Sequence, residues 1–182
     1  MLEFVVIFLL LGLVVFPMVT LIHELGHAIP TLILTDRVSL VRVGGGPWLL
    51  FRFRIGQLDL EWRPLLWFLG SAYPVGVVDR RSVLWMTAGD FIASLLNVIA
   101  LFVLSQFVGP GQTVASALLT WALLMATIGL LITGPPVRYG RWQHEDYGPA
   151  SDGYWLREWL RHPEWRDFDF REVTALEGGA PE

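Results

Sequence analysis

An apolar run near the start of the chain limits its fold more than any other feature. Residues 4–34 carry ionisable side chains at only three positions, His23, Glu24 and His27. About 20 apolar residues suffice to cross a bilayer as a helix, so this run is long enough to do so. Ionisable groups inside such a segment are costly unless they are paired or serve a function. We therefore expect these three side chains to form a functional site inside a membrane-spanning helix.

The spacing of the three side chains indicates a metal site. Residues four apart lie on the same face of a helix, so His23 and His27 can direct two imidazoles at one metal ion. Glu24 lies about 100° round the helix from His23, where it can reach a water molecule beside the metal. This is the His-Glu-x-x-His pattern of zinc hydrolases. The alternatives are a polar cluster that only joins helices, a haem site or a proton relay.

The composition agrees with a small multi-pass membrane protein. Of the 182 residues, 54% are hydrophobic and 16% are charged, and the mean hydropathy is +0.53. The length leaves room for a single domain, residues 1–182. The sequence contains no cysteine, so any metal must be held by histidines and carboxylates. A formal net charge of −4 without a basic run argues against nucleic acid as a partner.

Three segments have the length and composition of core transmembrane helices. They are residues 1–34, 83–108 and 113–136. We expect the first to be retained, because Glu3 stands where a signal peptide would carry basic residues and no cleavage site of small residues follows. The tight, uncharged turn at 109–112 predicts that the second and third spans form an antiparallel hairpin.

Two prolines interrupt the first span. The run is about 46 Å long if wholly helical, against a hydrocarbon core of about 30 Å, so one straight helix lying entirely in lipid is not expected. Pro17 is expected to kink the helix, and Pro30 to end or bend it one turn after His27.

Residues 35–82 predict a small β-rich insertion after the first span. Alternating apolar and polar residues, separated by glycine-containing turns, predict strands at 38–43, 48–55 and 58–62. The apolar segment 65–78 is short and broken by Gly and Pro, which is typical of a re-entrant or interfacial segment. The insertion is either a cap outside the membrane or a sheet whose exposed edge captures an extended peptide.

The remaining residues, 137–182, predict a polar tail that carries an amphipathic helix. Tryptophan and leucine pairs recur four residues apart within residues 154–162, with arginines among them. This pattern predicts a short helix lying at the membrane surface.

The distribution of arginine predicts the orientation. Residues 35–82 hold seven arginines, and the turn at 109–112 holds none. The positive-inside rule therefore places the insertion and the C-terminal tail in the cytoplasm, the N-terminus outside, and the protein in the cell membrane with the lipid bilayer as a partner. The histidine pair, Asp90 and the start of the tail then share the cytoplasmic side.

Two histidines leave a catalytic zinc ion short of one protein ligand, because such sites use three protein ligands and keep one position open. The candidates at a suitable depth are Asp90, His144, Glu145, Asp146 and Asp152. Asp152 can instead be a helix N-cap, and Asp90 can instead orient an imidazole. Spacing does not decide between these candidates.

Three features together resemble the site-2 protease family of intramembrane zinc metalloproteases. They are the HELGH motif at the end of a first core span, the glycine-rich segment 41–47 followed by residues 51–53, and the late Asp152-Gly153 pair. The resemblance covers most of the chain. It implies a core of three spans with a β-rich or re-entrant segment after the first.

The resemblance also implies an activity. A member of this family would be an intramembrane zinc endopeptidase that cuts a membrane-spanning protein within or next to its transmembrane helix, near the cytoplasmic face. His23, His27 and Asp152 would hold one Zn²⁺ per chain, and Glu24 would be the catalytic residue. Apart from the resemblance, Asp90 itself is a candidate for substrate binding or for a position beside the metal ligands.

The insertion adds further candidates for substrate binding, which are Gly44, Gly45, Phe51 and Phe53. Two positions depart from the family pattern. Gly89-Asp90 stands where the family has Gly-Pro, and residues 133–136 lack the family's asparagine. These departures motivate an alternative, a non-proteolytic regulator or scaffold that keeps the fold and the metal site. A proton or ion pathway without a stoichiometric metal is a third interpretation.

Overall fold

The computed structural model describes residues 2–108, 114–138 and 150–171, with the backbone alone at residues 2–4, 67 and 68. Within these ranges the chain forms five α-helices, one π-helical segment and six strands. Long helices pack beside a four-stranded sheet that follows the first of them. The expected class, a helical protein with a small β-rich insertion and a C-terminal helix, is observed.

The N-terminal helical segment comprises α1 (Leu2–Leu10), a π-helical segment (Leu11–Val15) and α2 (Phe16–Leu34). The irregularity predicted at Pro17 takes the form of the π-helical segment that precedes it. Pro30 lies inside α2 and does not end the helix, which continues to Leu34. A helix can pass through a proline where a neighbouring helix packs against the carbonyl that the proline leaves unpaired.

The next two helices are α3 (Arg80–Val108) and α4 (Val114–Thr133), and α3 packs against both α2 and α4. Three helical segments are long and apolar enough to cross a membrane, namely Val5–Leu34, Arg80–Val108 and Val114–Thr133. They match the three predicted spans in length and composition, although α3 begins before the predicted start at residue 83. The turn predicted at 109–112 lies outside the described residues.

The sheet comprises β1 (Ser39–Gly45), β2 (Phe51–Ile55), β3 (Leu58–Trp62) and β4 (Leu65–Pro74), in the order β2-β3-β1-β4. Strands β1 and β3 are parallel, and the other pairs are antiparallel. The three predicted strands are confirmed. The segment 65–78, expected to be re-entrant or interfacial, instead forms β4 and most of a further strand, because its backbone pairs with β1 despite Gly70 and Pro74.

One face of the sheet packs against α2. Val41, Val43 and Leu60 alternate towards this face and bury their side chains with Ala28 of α2. Ala28 lies one residue after the HELGH motif. The apolar face of the sheet therefore holds the insertion against the helix that carries the histidine pair.

The opposite face of the sheet carries ion pairs. Arg52 donates to both carboxylate oxygens of Asp59 at 2.8 and 2.6 Å, and this hydrogen bonding lowers the pKa of Asp59. Arg42 Nε donates to Glu61 Oε2 at 3.0 Å. Burial raises the pKa of Glu61, but hydrogen bonds from Arg42 and Arg63 outweigh burial and lower it. The four central charges are therefore paired with one another across neighbouring strands.

The C-terminal part of the chain folds back on α3. Helix α5 (Asp152–Arg161) packs against α3, and β6 (Asp167–Asp169) pairs antiparallel with β5 (Val77–Asp79). Trp159 and Phe170 are buried in a cluster with Met86 of α3 and Tyr73 of β4. The helix predicted at 154–162 is confirmed, and this cluster holds it against α3.

Candidate metal centre

His23 and His27 lie one turn apart on α2 and both contact α3. Their ring centroids are 5.6 Å apart. His27 Nδ1 lies 3.1 Å from the backbone oxygen of Met86 in α3. A carbonyl oxygen only accepts, so Nδ1 carries the proton and donates it. In the neutral imidazole this leaves the lone pair on Nε2, the atom that can bind a metal.

Asp90 in α3 holds the second imidazole. Its Oδ1 lies 2.5 Å from His23 Nδ1, and Ser94 Oγ lies 2.9 Å from the same nitrogen. The Asp90 side chain is fully buried. A carboxylate on Nδ1 sets the tautomer and orientation of the ring and makes Nε2 a better metal ligand. This is the orienting contact that the sequence allowed for Asp90.

Two glycines let α3 approach α2 this closely. A Cβ on Gly26 would lie 2.6 Å from Asp90 Cα, and a Cβ on Gly89 would lie 2.4 Å from Gly26 O. Both distances are well below van der Waals contact. Gly26 O is also the carbonyl that Pro30 deprives of a helical N–H donor, and here it packs against Gly89. The contact between Gly26 and Gly89 therefore sets the distance from Asp90 to His23.

Asp152, at the start of α5, faces the two histidines. Its Oδ1 lies 3.4 Å from His27 Nε2, and its Oδ2 lies 3.9 Å from His23 Nε2. The N-cap of α5 is Ser151, whose Oγ accepts from the backbone N–H of Tyr154, so Asp152 does not have the capping role.

The glycine after Asp152 allows this approach. A Cβ on Gly153 would lie 1.8 Å from Gly134 O, at the end of α4, so only glycine fits there without a backbone shift. Ser151 Oγ also donates to Pro135 O and accepts from the backbone N–H of Val137 at 3.0 Å. The segment after α4 and the start of α5 thus form one close junction that positions the carboxylate.

The four side chains can hold a metal ion. One donor atom from each lies within 4.8 Å of the others, in the set His23, His27, Asp90 and Asp152. Nitrogen and oxygen ligands at about 2.0–2.1 Å in a tetrahedral site lie about 3.4 Å apart. The separation of His27 Nε2 from Asp152 Oδ1, 3.4 Å, matches this value. Asp90 Oδ2 is buried and has no hydrogen-bond partner among the described residues, as fits an oxygen that a cation can satisfy.

Glu24 lies beside the four donors without joining them. Its side chain is only 5% exposed, and Oε1 lies 4.0 Å from His23 Nε2. It packs against the backbone of β4, where a Cβ on Gly70 would lie 2.4 Å from Glu24 Oε1. Glu24 makes no hydrogen bond to the described residues. A buried carboxylate with this freedom can accept and release a proton.

Two cavities meet at His23, Glu24 and Gly70. One, of about 450 Å³, lies between α2, α3 and α4, and Asn97 is among its polar lining residues. The other, of about 460 Å³, extends along β4 towards α5 and β6 and includes His27 and Asp152. His23 and Glu24 therefore border both cavities, whereas His27 and Asp152 border only the second.

The other residues predicted for substrate binding lie away from this centre. Gly44 and Gly45 end β1, and Phe51 and Phe53 lie on β2, at the opposite edge of the sheet from β4. None of the four lines either cavity beside Glu24. Their role in substrate binding stays a prediction. The remaining candidate ligands lie outside the described residues, and they are His144, Glu145 and Asp146.

Sequence reasoning missed several residues that build the centre. Ser94 and Asn97 follow Asp90 by four and seven residues, so the three share one face of α3. This polar stripe in an apolar helix was a usable signal. Gly70 carried no signal, because its contact with Glu24 exists only in the folded chain.

Comparison with known proteins adds no assignment. No family model, no curated protein and no solved structure matches this chain.

Proposed function

We propose that this protein is a multi-pass intramembrane zinc endopeptidase. The observation that carries the proposal is the position of Glu24. This carboxylate is buried, makes no hydrogen bond to the described residues, and lies beside two imidazoles and an aspartate that can hold a metal. It also borders two cavities. Three helices long and apolar enough to cross a membrane surround or adjoin this site. The substrate class is a membrane-spanning protein that is cut within or next to its transmembrane helix.

His23, His27 and Asp152 would hold the zinc ion, with Nε2 of each imidazole and a carboxylate oxygen as ligands. The chain has no cysteine, so a nitrogen and oxygen donor set is the one it can offer. Zinc bound there would act as a Lewis acid on a peptide carbonyl and lower the pKa of bound water. Asp90 and Met86 O fix the orientation of the two imidazoles through their Nδ1 atoms.

Glu24 would move the protons of the reaction. Its carboxylate takes a proton from the attacking water and transfers this proton to the leaving amine when the peptide bond breaks. Packing against Gly70 restricts where the carboxylate can lie. The absence of a hydrogen-bond partner among the described residues leaves both oxygens available for this transfer.

Strand β4 supports an account of how substrate is presented. A transmembrane helix hides its peptide groups in hydrogen bonds, so a substrate must unwind before it is cut. Strand β4 is the edge of the sheet nearest Glu24, and Gly70 brings its backbone against that carboxylate. An extended substrate segment lying along β4 would place its peptide groups beside Glu24. Substrates with Gly, Pro or β-branched residues near the cut are expected.

The proposed location is the cell membrane, with the sheet and the C-terminal segment in the cytoplasm. Seven arginines in residues 35–82 support this orientation. The centre is built from the middle of α2, the first half of α3 and the start of α5. Because α3 begins directly after the arginine-rich segment, the proposed cut lies near the cytoplasmic face.

The test uses purified protein reconstituted in liposomes with single-span substrates. Glu24→Gln should lower the cleavage rate by at least about 10²-fold, while zinc stays at about one ion per chain. The matched control is Glu61→Gln, a buried glutamate of the sheet that should keep cleavage. Cleavage that persists in Glu24→Gln, or wild-type protein that binds no metal, would refute the proposal.

A second candidate function is a non-proteolytic regulator that keeps a closed metal site. The observation that favours it is Asp90 Oδ2, a fourth donor within reach of the same point. Four protein ligands would fill a tetrahedral zinc shell and leave no position for water. Zinc spectroscopy separates the two functions. X-ray absorption at the zinc edge reports the number and type of the ligands. Two imidazole and two carboxylate ligands in wild type, with one oxygen ligand lost in Asp90→Asn, favour the regulator. An unchanged ligand set in Asp90→Asn favours the protease.

A further inference from the structure

A third cavity lies away from the metal centre, between the start of α3 and α5. Its volume is about 630 Å³, and it shares no lining residue with the two cavities beside Glu24. Its walls combine arginines at one end with apolar side chains along the rest. We refer to it as the arginine groove.

Three arginines line this groove, Arg80, Arg81 and Arg166. Arg80 is held in place because a guanidinium nitrogen donates to Trp159 O at 2.7 Å. Its Nε is buried and has no hydrogen-bond partner in the part of the chain that the structure describes. Arg81 and Arg166 are exposed and form no ion pair with the residues that the structure describes. The groove thus carries more cations than carboxylates among its lining residues.

The acidic groups nearby are already engaged. Asp79 lines the groove, and its Oδ1 accepts from Ser82 Oγ at 2.5 Å. Glu164, near Arg80, lies 2.7 Å from His162 Nδ1. The groove as a whole stays positive, because three arginines face one lining carboxylate.

The apolar wall opens towards the membrane-facing surface of α3. Trp85 lines the groove and is 50% exposed. Residues that follow Trp85 by nearly whole helical turns lie on its face. The apolar residues at those positions are exposed as well, and they are Ile92, Leu96, Ile99 and Val103. A continuous apolar stripe therefore leads from the arginines along α3.

The location of the groove agrees with a lipid. Arg80 is the first residue of a helix that is long and apolar enough to cross a membrane. The helix has 29 residues, about 43 Å, so its ends reach the headgroup region of a bilayer with a 30 Å core. Arginine and tryptophan are the residues that anchor to this region.

We propose that the arginine groove binds one anionic phospholipid. The phosphate lies between Arg80, Arg81 and Arg166, and the acyl chains run along the stripe that begins at Trp85. The ligand class follows from the two halves of the site, because a free phosphate would leave the apolar wall unused and a neutral lipid would leave the arginines unpaired. This inference does not depend on the proposed proteolytic function.

Native mass spectrometry of the full chain tests the proposal. Detergent-purified protein is titrated with phosphatidylglycerol or with phosphatidylcholine of the same acyl chains. Wild type should retain one phosphatidylglycerol in preference to phosphatidylcholine. Arg81→Gln and Arg166→Gln should each weaken phosphatidylglycerol binding roughly 5-fold, since a lipid-facing arginine contributes about 1 kcal/mol. Trp85→Ala should weaken binding of both lipids.

The matched control is Arg54→Gln, an exposed arginine of β2 that donates to Gly56 O and lies outside the groove. It should bind phosphatidylglycerol as wild type does. Equal retention of the two lipids, an equal loss in Arg54→Gln, or displacement of the lipid by inorganic phosphate alone would each overturn the proposal. The far-UV circular dichroism spectrum of every groove variant in detergent should match that of wild type, which shows that the variants are folded.

Discussion

Replacing Gly26 by alanine tests whether the close approach of α2 and α3 builds the metal centre. The added Cβ would lie 2.6 Å from Asp90 Cα, 2.7 Å from Gly89 O and 2.8 Å from the Ala93 Cβ. Two of these atoms belong to the backbone, so no side-chain rotation relieves the overlap. Restoring ordinary contact at about 3.5 Å requires α3 to move away by about 0.9 Å.

That movement is large compared with the distances that hold the imidazoles. The His23–Asp90 and His27–Met86 separations are 2.5 and 3.1 Å, and about 0.9 Å more takes both to or beyond the limit of a hydrogen bond. Loss of such partners lowers metal affinity by about 10- to 100-fold. Alanine in a helix gains about 1 kcal/mol over glycine, which offsets part of the lost packing. Gly26→Ala should therefore bind zinc about 10- to 100-fold more weakly, while its unfolding free energy falls by less than the lost packing alone would cause.

The assay is a chelator competition titration of zinc, beside unfolding of the same protein in detergent. Gly129→Ala in α4 is the matched control, because a Cβ there meets nothing within 4 Å. It should keep the metal and be slightly more stable than wild type. Wild-type metal affinity in Gly26→Ala would refute the idea that the glycine contact sets the ligand geometry.

Two further predictions concern the C-terminal ligand and the sheet. Gly153→Ala places a Cβ 1.8 Å from Gly134 O, so it should displace Asp152 and lower zinc affinity by at least about 10-fold in the same titration. Asp59 has a lowered pKa because of Arg52, so the stability from this pair is present above its unfolded pKa of about 4 and is lost as pH falls through the lower folded value. The difference in unfolding free energy between wild type and Arg52→Gln should therefore be constant at neutral pH and shrink below about pH 4.

Each of these has its own control. Gly129→Ala is again the control for Gly153→Ala. Unchanged zinc affinity in Gly153→Ala would exclude the role given to Gly153. Arg37→Gln serves for the pH series, because Arg37 forms no ion pair with the described residues. A stability difference for Arg52→Gln that stays constant down to pH 2 would contradict the assigned pairing.

Much of the architecture was predictable because it depends on local patterns. The apolar composition of three long segments, the alternation in residues 38–62 and the amphipathic pattern near Trp155 each concern neighbours in sequence. The His23–His27 pair was predictable for the same reason, since one helical turn relates its two members. The strands within segment 65–78 were not predicted individually, because they come from pairing with β1 and β6 and not from the segment's own pattern.

The sequence by itself determined which residues could bind a metal on α2, and that any metal ligands must be histidines and carboxylates. Only the tertiary structure decided that Asp152 faces both imidazoles while Asp90 holds one of them from behind. It also decided that Glu24 stands against β4. The physical reason is that these contacts depend on how closely backbones approach at glycines. That distance is a property of packed pairs of elements, and no single segment encodes it.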